Sequence, residues 1–456
     1  MRWLLFALPM LFALGASSSG RAQPVALRPL STADAKAGKP LYLRECSACH
    51  GERGDGAGPG APFVEPRPRD FTKGVFKLRT TSSGQPPTTA DILHTIERGI
   101  PGTAMPSFAF LPEQERRQIA AYVLERADLL VSPEPQPIRD PGQPPAATAQ
   151  SVTLGKQVYS KLQCAACHGE RGKGDGPSSK TMVDDDGRPI QVRDFTTGVF
   201  RGGAERKDLY YRFTTGLDGS PMPAFVDSAS DPERWALVDF VKSLEAPAPP
   251  RPLPADPLEA GRAVAEKYSC RACHILDDGK GGTAGPDLRV SGQKLSSDWV
   301  RAFLKAPREY GKIYYWRTAR MPKLPLSSEE IEAVVRYLAA MGHRKPGPAA
   351  TPAVAALAQE KLEDGKLLFM LRCTECHNLG KVIESPPIKW QGPDLIRVAG
   401  RVDYDFARRW ILDPHKIEPQ TKMVVPGLTP VQVDAVRAFV WKASIESGGG
   451  SAGGRP

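Results

Sequence analysis

The chain contains eight cysteines, all in four copies of one pattern: Cys46-Ser-Ala-Cys49-His50, Cys164-Ala-Ala-Cys167-His168, Cys270-Arg-Ala-Cys273-His274 and Cys373-Thr-Glu-Cys376-His377. Two thiols three residues apart, followed at once by an imidazole, can serve as a redox dithiol, as half of a zinc site, or as the covalent anchor of a haem. In the last case the thiols add to the vinyl groups and the histidine turns a ring nitrogen toward the iron. One copy leaves these open. Four copies, with first cysteines 118, 106 and 103 residues apart and none left over, point to four haem c groups and away from a disulfide framework or structural zinc.

The histidine fills one axial position of an iron, and the other decides what the group does. A carrier has both filled, whereas a catalytic haem keeps one open. Each repeat offers a methionine at a matching place: Met105 in GIPGTAMPSF, Met222 in GLDGSPMPAF, Met321 in RTARMPKLPLS and Met423 in PQTKMVVPGLT. The separations from His50, His168, His274 and His377 are 55, 54, 47 and 46 residues, a near-constancy expected of loops that set a thioether over the haem. Val424 replaces the proline that follows the other three, but Leu and Ser or Thr follow at the same offsets from Met321 and Met423 (Leu326-Ser327, Leu428-Thr429). His415, eight residues before Met423, is the alternative fourth ligand. His94 and His343 read as surface residues, and Met182, Met341 and Met370 as packing. Pro286 and Pro393 are candidates to position the acceptor of the ligating imidazole's other N–H, with Pro59 and Pro177 as less clear choices in the first two repeats.

Helices must hold these groups. Before each motif a glycine is followed four residues on by an apolar residue on the same helix face: Gly38/Tyr42, Gly155/Tyr159, Gly261/Ala265 and Gly365/Phe369. Each repeat closes with an amphipathic helix carrying Tyr122, Phe240, Tyr337 or Phe439. Two of these helices open with capping boxes, Ser327 with Glu330 and Thr429 with Gln432. Stretches rich in Pro and Ala at 132–151, 246–256 and 345–358 read as linkers, extended where Pro dominates. The expected organisation is all-α, with domains over 31–131, 152–246, 257–344 and 358–446. Units one and two share His-Gly-Glu-Arg-Gly, Arg-Asp-Phe-Thr and Gly-Val-Phe, while units three and four share Gly-Pro-Asp-Leu, as two successive duplications would leave them.

At 456 residues, 25% charged and 41% apolar, the chain is composed as a multi-domain globular protein and not as a disordered or integral membrane one. The net charge of +10 forms no run of the kind that binds nucleic acid, and unit three holds an excess of five basic residues. At the N-terminus Arg2 precedes an apolar run from Trp3 to Ala16 and a small polar stretch. That layout is a secretory signal peptide with cleavage after Ala22, and a retained anchor is its alternative.

The sequence resembles the class I c-type cytochromes over nearly all of its length after residue 22. Units three and four show the family's G-x-x-x-(aromatic), C-x-x-C-H, Gly-Pro-x-Leu and Met-Pro pattern closely, and units one and two resemble its oxidase-subunit-III-type branch. Ala265, in place of an aromatic, and Val424 are the departures. The resemblance implies four tandem cytochrome c domains and electron transfer through exposed haem edges with no bond made at iron. The expected protein is a periplasmic tetrahaem carrier between donor and acceptor redox proteins, a membrane oxidase or reductase complex among them. A haem enzyme with one open axial site and a cytochrome subunit of a membrane oxidoreductase complex are the rival readings.

Overall fold

The computed structural model describes residues 29–247, 249, 252–310, 320–343, 359–383, 392–419 and 421–449. The apolar run at 3–16 and the linker at 345–358 lie outside them. Among the described residues the only β-structure is isolated bridges, and no helix is long and apolar enough to cross a membrane.

Each repeat is built on two crossing helices: Thr32–Glu45 on Glu113–Arg126, Ala149–Lys161 on Asp231–Ser243, Pro257–Lys267 on Ser328–Met341, and Gln359–Arg372 on Pro430–Glu446. Glycine makes the crossing close. A β-carbon at Gly38 would sit 1.9 Å from the Gln118 carbonyl oxygen, at Gly155 1.9 Å from that of Ala236, at Gly365 2.2 Å from that of Ala435, and at Gly261 2.2 Å from Tyr337 Cβ. One turn on, rings fill the space below: Tyr42 and Tyr122 have centroids 4.8 Å apart, Tyr159 and Phe240 5.2 Å, Phe369 and Phe439 6.1 Å. In unit three Ala265 leaves that place to the Tyr337 ring against Gly261. Both expected capping boxes form, at Ser327/Glu330 and at Thr429/Gln432.

The units are not beads on a string. Units one and two pack face to face in a quasi-two-fold manner, with the methionine loop of each against the Arg-Asp-Phe to Gly-Val-Phe stretch of the other. A β-carbon on Gly102 would lie 3.0 Å from Val199 and 3.2 Å from Arg193; one on Gly219 would lie 3.4 Å from both Arg69 and Val75. At the centre Arg79, fully buried, pairs with Asp218 at 2.7 Å and donates to the Thr215 carbonyl at 3.0 Å. The connecting stretch is laid along this pair: the Ile138 amide donates to the Thr80 carbonyl, Glu134 accepts from Thr89, and Lys207 pairs with Asp140. The second unit's helix already begins at Ala149, capped by Thr148, so part of the stretch read as an extended linker is helix or bound surface.

Units three and four repeat the same logic. Leu295 and Val402 form an antiparallel bridge, the Ser296 amide donates to the Arg401 carbonyl at 2.9 Å and the Asp403 amide to the Lys294 carbonyl at 2.8 Å. Lys294 lies over Phe406 and Trp410, and Arg401 over Trp299. The two pairs meet through units one and three, where the short turn Ala61–Phe63 packs on the turn Cys270–Ala272.

Candidate haem-binding sites

Every motif sits at the C-terminal end of its unit's first helix. All eight cysteines are unpaired, and none of the units uses them in a disulfide. Burial pushes the Cys164, Cys270 and Cys373 thiols up to about 11, and burial with the nearby Cys273 pushes Cys49 up to about 12. A redox dithiol needs a lowered thiol pKa in an electropositive setting, so this environment is the wrong one for that chemistry. Among the described residues no group of three or more His, Cys, Asp or Glu side chains is arranged to hold a metal ion.

The four histidines share one arrangement reached by two routes. In each, Nδ1 faces a backbone carbonyl: Arg69 at 3.0 Å from His50, Arg193 at 3.3 Å from His168, Pro286 at 2.8 Å from His274 and Pro393 at 2.8 Å from His377. Such a partner fixes the ring and leaves Nε2 to a metal. Burial holds His50, His168 and His377 below the usual histidine range, which favours the neutral, ligating form.

In units three and four the Gly-Pro-Asp-Leu segment does this work. The glycine passes flat against the imidazole, since a β-carbon at Gly285 or Gly392 would lie 2.4 or 2.3 Å from the ring. Proline supplies the carbonyl, and the aspartate turns the chain back by accepting the amide of Arg289 or Ile396, each at 2.9 Å. Pro286 and Pro393 therefore sit where the sequence placed them.

In units one and two the choice of Pro59 and Pro177 is not what the structure shows. Arg-Asp-Phe-Thr takes the role instead: the arginine carbonyl accepts from histidine, the aspartate accepts the amide of Thr72 or Thr196 at 2.9 Å, and the phenylalanine stacks on the imidazole. The ring centroids are 4.5 Å apart for His50–Phe71 and 4.4 Å for His168–Phe195. The acceptors lie 19 and 25 residues beyond the histidines, so proximity in sequence was a poor guide; the shared segment itself was the signal. Tyr42 and Tyr159 brace the turn after each histidine by donating to the Gly51 and Gly169 carbonyls at 2.8 and 2.7 Å. Both glycines have φ of 76°, a conformation open to glycine at little cost.

The methionines all lie on loops and all are partly buried. The Ile100 amide donates to the Met105 carbonyl at 3.1 Å and the Leu217 amide to that of Met222 at 3.0 Å, the same closure in both units. The Met105 and Met423 amides each donate to the hydroxyl of the threonine two residues back, Thr103 and Thr421. Met321 packs on the core of unit three. His415 is exposed, its Nδ1 3.5 Å from the Pro419 carbonyl, and His94 meets Arg98 at 2.8 Å on the surface.

Buried charge shows that the surroundings fit a haem with its carboxylates. Arg193 and Arg201 lie close enough to oppose each other's charge, and the Nε atom of each is enclosed without a hydrogen-bond partner. Burial holds Arg201, and at the equivalent places in unit one Arg69 and Lys77, below their ordinary pKa values. These residues are partly buried, and carboxylates already oppose some of their charge, Glu65 at Arg201 and Asp184, Asp185 and Asp186 at Arg69; the enclosed Nε donors of Arg193 and Arg201 remain for an anion such as a propionate to meet. A cavity of about 500 Å³ opens beside Met222 between units one and two, lined among others by Val75, Phe76, Asp185 and Gly219.

A cytochrome c family model matches residues 35–127, 152–245 and 258–342, more than half of the sequence. The chain belongs to the cytochrome c family. The fourth unit lies outside the matched stretches but carries the same helix crossing, motif and histidine clamp. Among curated proteins the chain is similar to the cbb3-type cytochrome c oxidase subunit CcoP of Azospirillum sp. (strain B510) and of Azospirillum brasilense, at 29% and 30% identity over 220 residues. Each match covers 45% of this chain and 61% of the relative. The cbb3-type subunit FixP of Azorhizobium caulinodans is 26% identical over 215 residues, 45% of this chain and 58% of FixP. The match thus spans about three fifths of these relatives. Among solved structures, a chain of the Kuenenia stuttgartiensis reducing HAO-like protein complex Kustc0457/Kustc0458 is 44% identical, covering 46% of this chain and 96% of that one, with a TM-score of 0.44. The protein is a multi-haem c-type cytochrome.

Proposed function

We propose that the chain is a tetrahaem electron carrier of the periplasm, with a haem thioether-linked at each cysteine pair and His50/Met105, His168/Met222, His274/Met321 and His377/Met423 as axial pairs. The observation that carries this reading is the repeated clamp. Four histidines each have Nδ1 engaged by a backbone carbonyl, in units that each present a loop methionine. When bound, the haem supplies a one-electron couple that needs no proton or leaving group. The protein's part is to hold each imidazole neutral and aimed, to keep water from the site, and to meet the propionates with Arg69 and Lys77 or Arg193 and Arg201. Donor and acceptor are redox proteins. The similarity to oxidase subunits supports a second reading, in which the chain serves as a cytochrome subunit of a membrane oxidoreductase complex. Co-purification with membrane proteins separates the two.

The test is the visible spectrum of the ferrous holoprotein with and without carbon monoxide, together with a haem-to-protein ratio. Four haems and no spectral change on adding the gas are expected. A haem that binds it readily overturns the carrier assignment for its unit and returns the enzyme reading, and fewer than four haems overturns the count.

A further inference from the structure

Units two and three are consecutive in the chain, yet the junction between the two halves of the molecule joins units one and three. Gly60 is wedged there between two cysteine motifs. Its amide donates to the carbonyl of Ala48, which lies between Cys46 and Cys49, and a β-carbon on it would stand 2.2 Å from the carbonyl of Ala272, which lies between Cys270 and Cys273. Both motifs thus press on one glycine, with Cys49 directly after Ala48 and Cys273 directly after Ala272.

Glu45, next to Cys46, locks this contact. Its carboxylate is fully enclosed and takes both arms of the Arg308 guanidinium, at 2.8 and 2.9 Å. Arg308 in turn lies over the Phe110 ring, 4.9 Å from its centroid. The Arg320 amide, next to Met321, donates to the Arg44 carbonyl at 3.1 Å. The contact thus runs from the cysteine motif of unit one to both the cysteine motif and the methionine loop of unit three. Among the described residues the helices of units two and three share no packed face.

Because cysteine addition fixes one edge of a haem at its sulfur, haems held at Cys49 and Cys273 would bring two such edges to the interface at Gly60. Resting on the carrier reading above, we propose that the redox order follows packing and not sequence: unit two, unit one, unit three, unit four, with the back-to-back motifs at Cys49 and Cys273 as the crossing between the halves. With haem held at the Cys46/Cys49 and Cys270/Cys273 motifs, that crossing would pass a single electron, one group oxidised as the other is reduced, with no atom transferred.

Pulsed electron paramagnetic resonance on the ferric full-length protein tests this through the relaxation that one low-spin iron induces in another. Two variants each retain two haems: C164S/C167S/C373S/C376S keeps those of units one and three, and C46S/C49S/C373S/C376S keeps those of units two and three. Relaxation several-fold faster in the first is expected, and faster relaxation in the second overturns the order. Because loss of a haem can unfold its unit, a second comparison keeps all four. Glu45→Arg should slow relaxation, and adding Arg308→Glu should restore it; no change with Glu45→Arg overturns the proposal. A wild-type protein with fewer than four haems overturns the carrier reading itself, whereas four haems with the wrong pairwise coupling overturn only the order.

Discussion

Leu295 and Val402 occupy the same place in the third and fourth repeats, and they bridge to each other. The bonds on either side are reciprocal, from Ser296 to Arg401 and from Asp403 to Lys294, as two related surfaces give when they meet across a two-fold axis. Units one and two meet by the same rule through other residues. The molecule is therefore two quasi-symmetric pairs joined at one asymmetric seam.

The fourth site should be the most easily opened. Val424 and Val425, directly after Met423, are 68% and 51% exposed, whereas the loops of Met105, Met222 and Met321 lie against neighbouring units. Met423→Ala should create a carbon monoxide-binding ferrous haem in a protein that otherwise binds none, read from the Soret difference spectrum. His415→Ala should leave the spectrum unchanged.

Buried cations raise the potential of an iron centre, because ferric haem carries one more positive charge than ferrous. Arg201→Gln removes such a cation from unit two and should shift one of the four midpoints downward in a spectroelectrochemical titration, leaving those of units three and four in place.

Asp218→Asn strands the enclosed Arg79 without its carboxylate at the centre of the first pair. The expected cost is about 2–3 kcal/mol, under the range for a fully enclosed pair because Asp218 keeps some contact with water. Urea unfolding should show it, together with faster proteolysis in the stretch at 132–147.

Gly155→Ala drives a methyl group into the Ala236 carbonyl and should destabilise unit two by at least about 1–3 kcal/mol, measured as a lowered melting temperature. A helix interior ordinarily gains from this substitution, so loss here isolates the crossing as the cause.

Burial would raise the Glu330 carboxyl, but Lys267 at 2.6 Å, the Ser327 amide at 2.8 Å and the Tyr268 hydroxyl at 3.0 Å donate to it and hold it below its ordinary 4.5. The native state thus favours the ionised form. Its contribution is complete above about 4.5 and is lost as pH falls through the lowered value. Hydrogen exchange in the helix Ser328–Met341 should quicken over that window, and Glu330→Gln should flatten the response.

The crossing glycines, the capping boxes and the Pro286 and Pro393 clamps were legible because each depends on residue types at short, fixed offsets. The carbonyls of Arg69 and Arg193 were not, since any residue supplies a carbonyl and the loop that carries it is long. Docking was hidden for a different reason. Glu45 and Arg308 stand 263 positions apart, and nothing in either neighbourhood marks one for the other. Proline-rich composition showed where the helices stop but not that the segment from Glu134 to Asp140 binds to the surfaces it connects.

The wedge at Gly60 also ties the tolerance of one site to the shape of another. A side chain at that position would have to displace the Ala272 carbonyl, between the cysteines of unit three, and crowd the Ala48 carbonyl of its own motif. A substitution in the first unit would thus be felt in the third, more than 200 residues further along the chain.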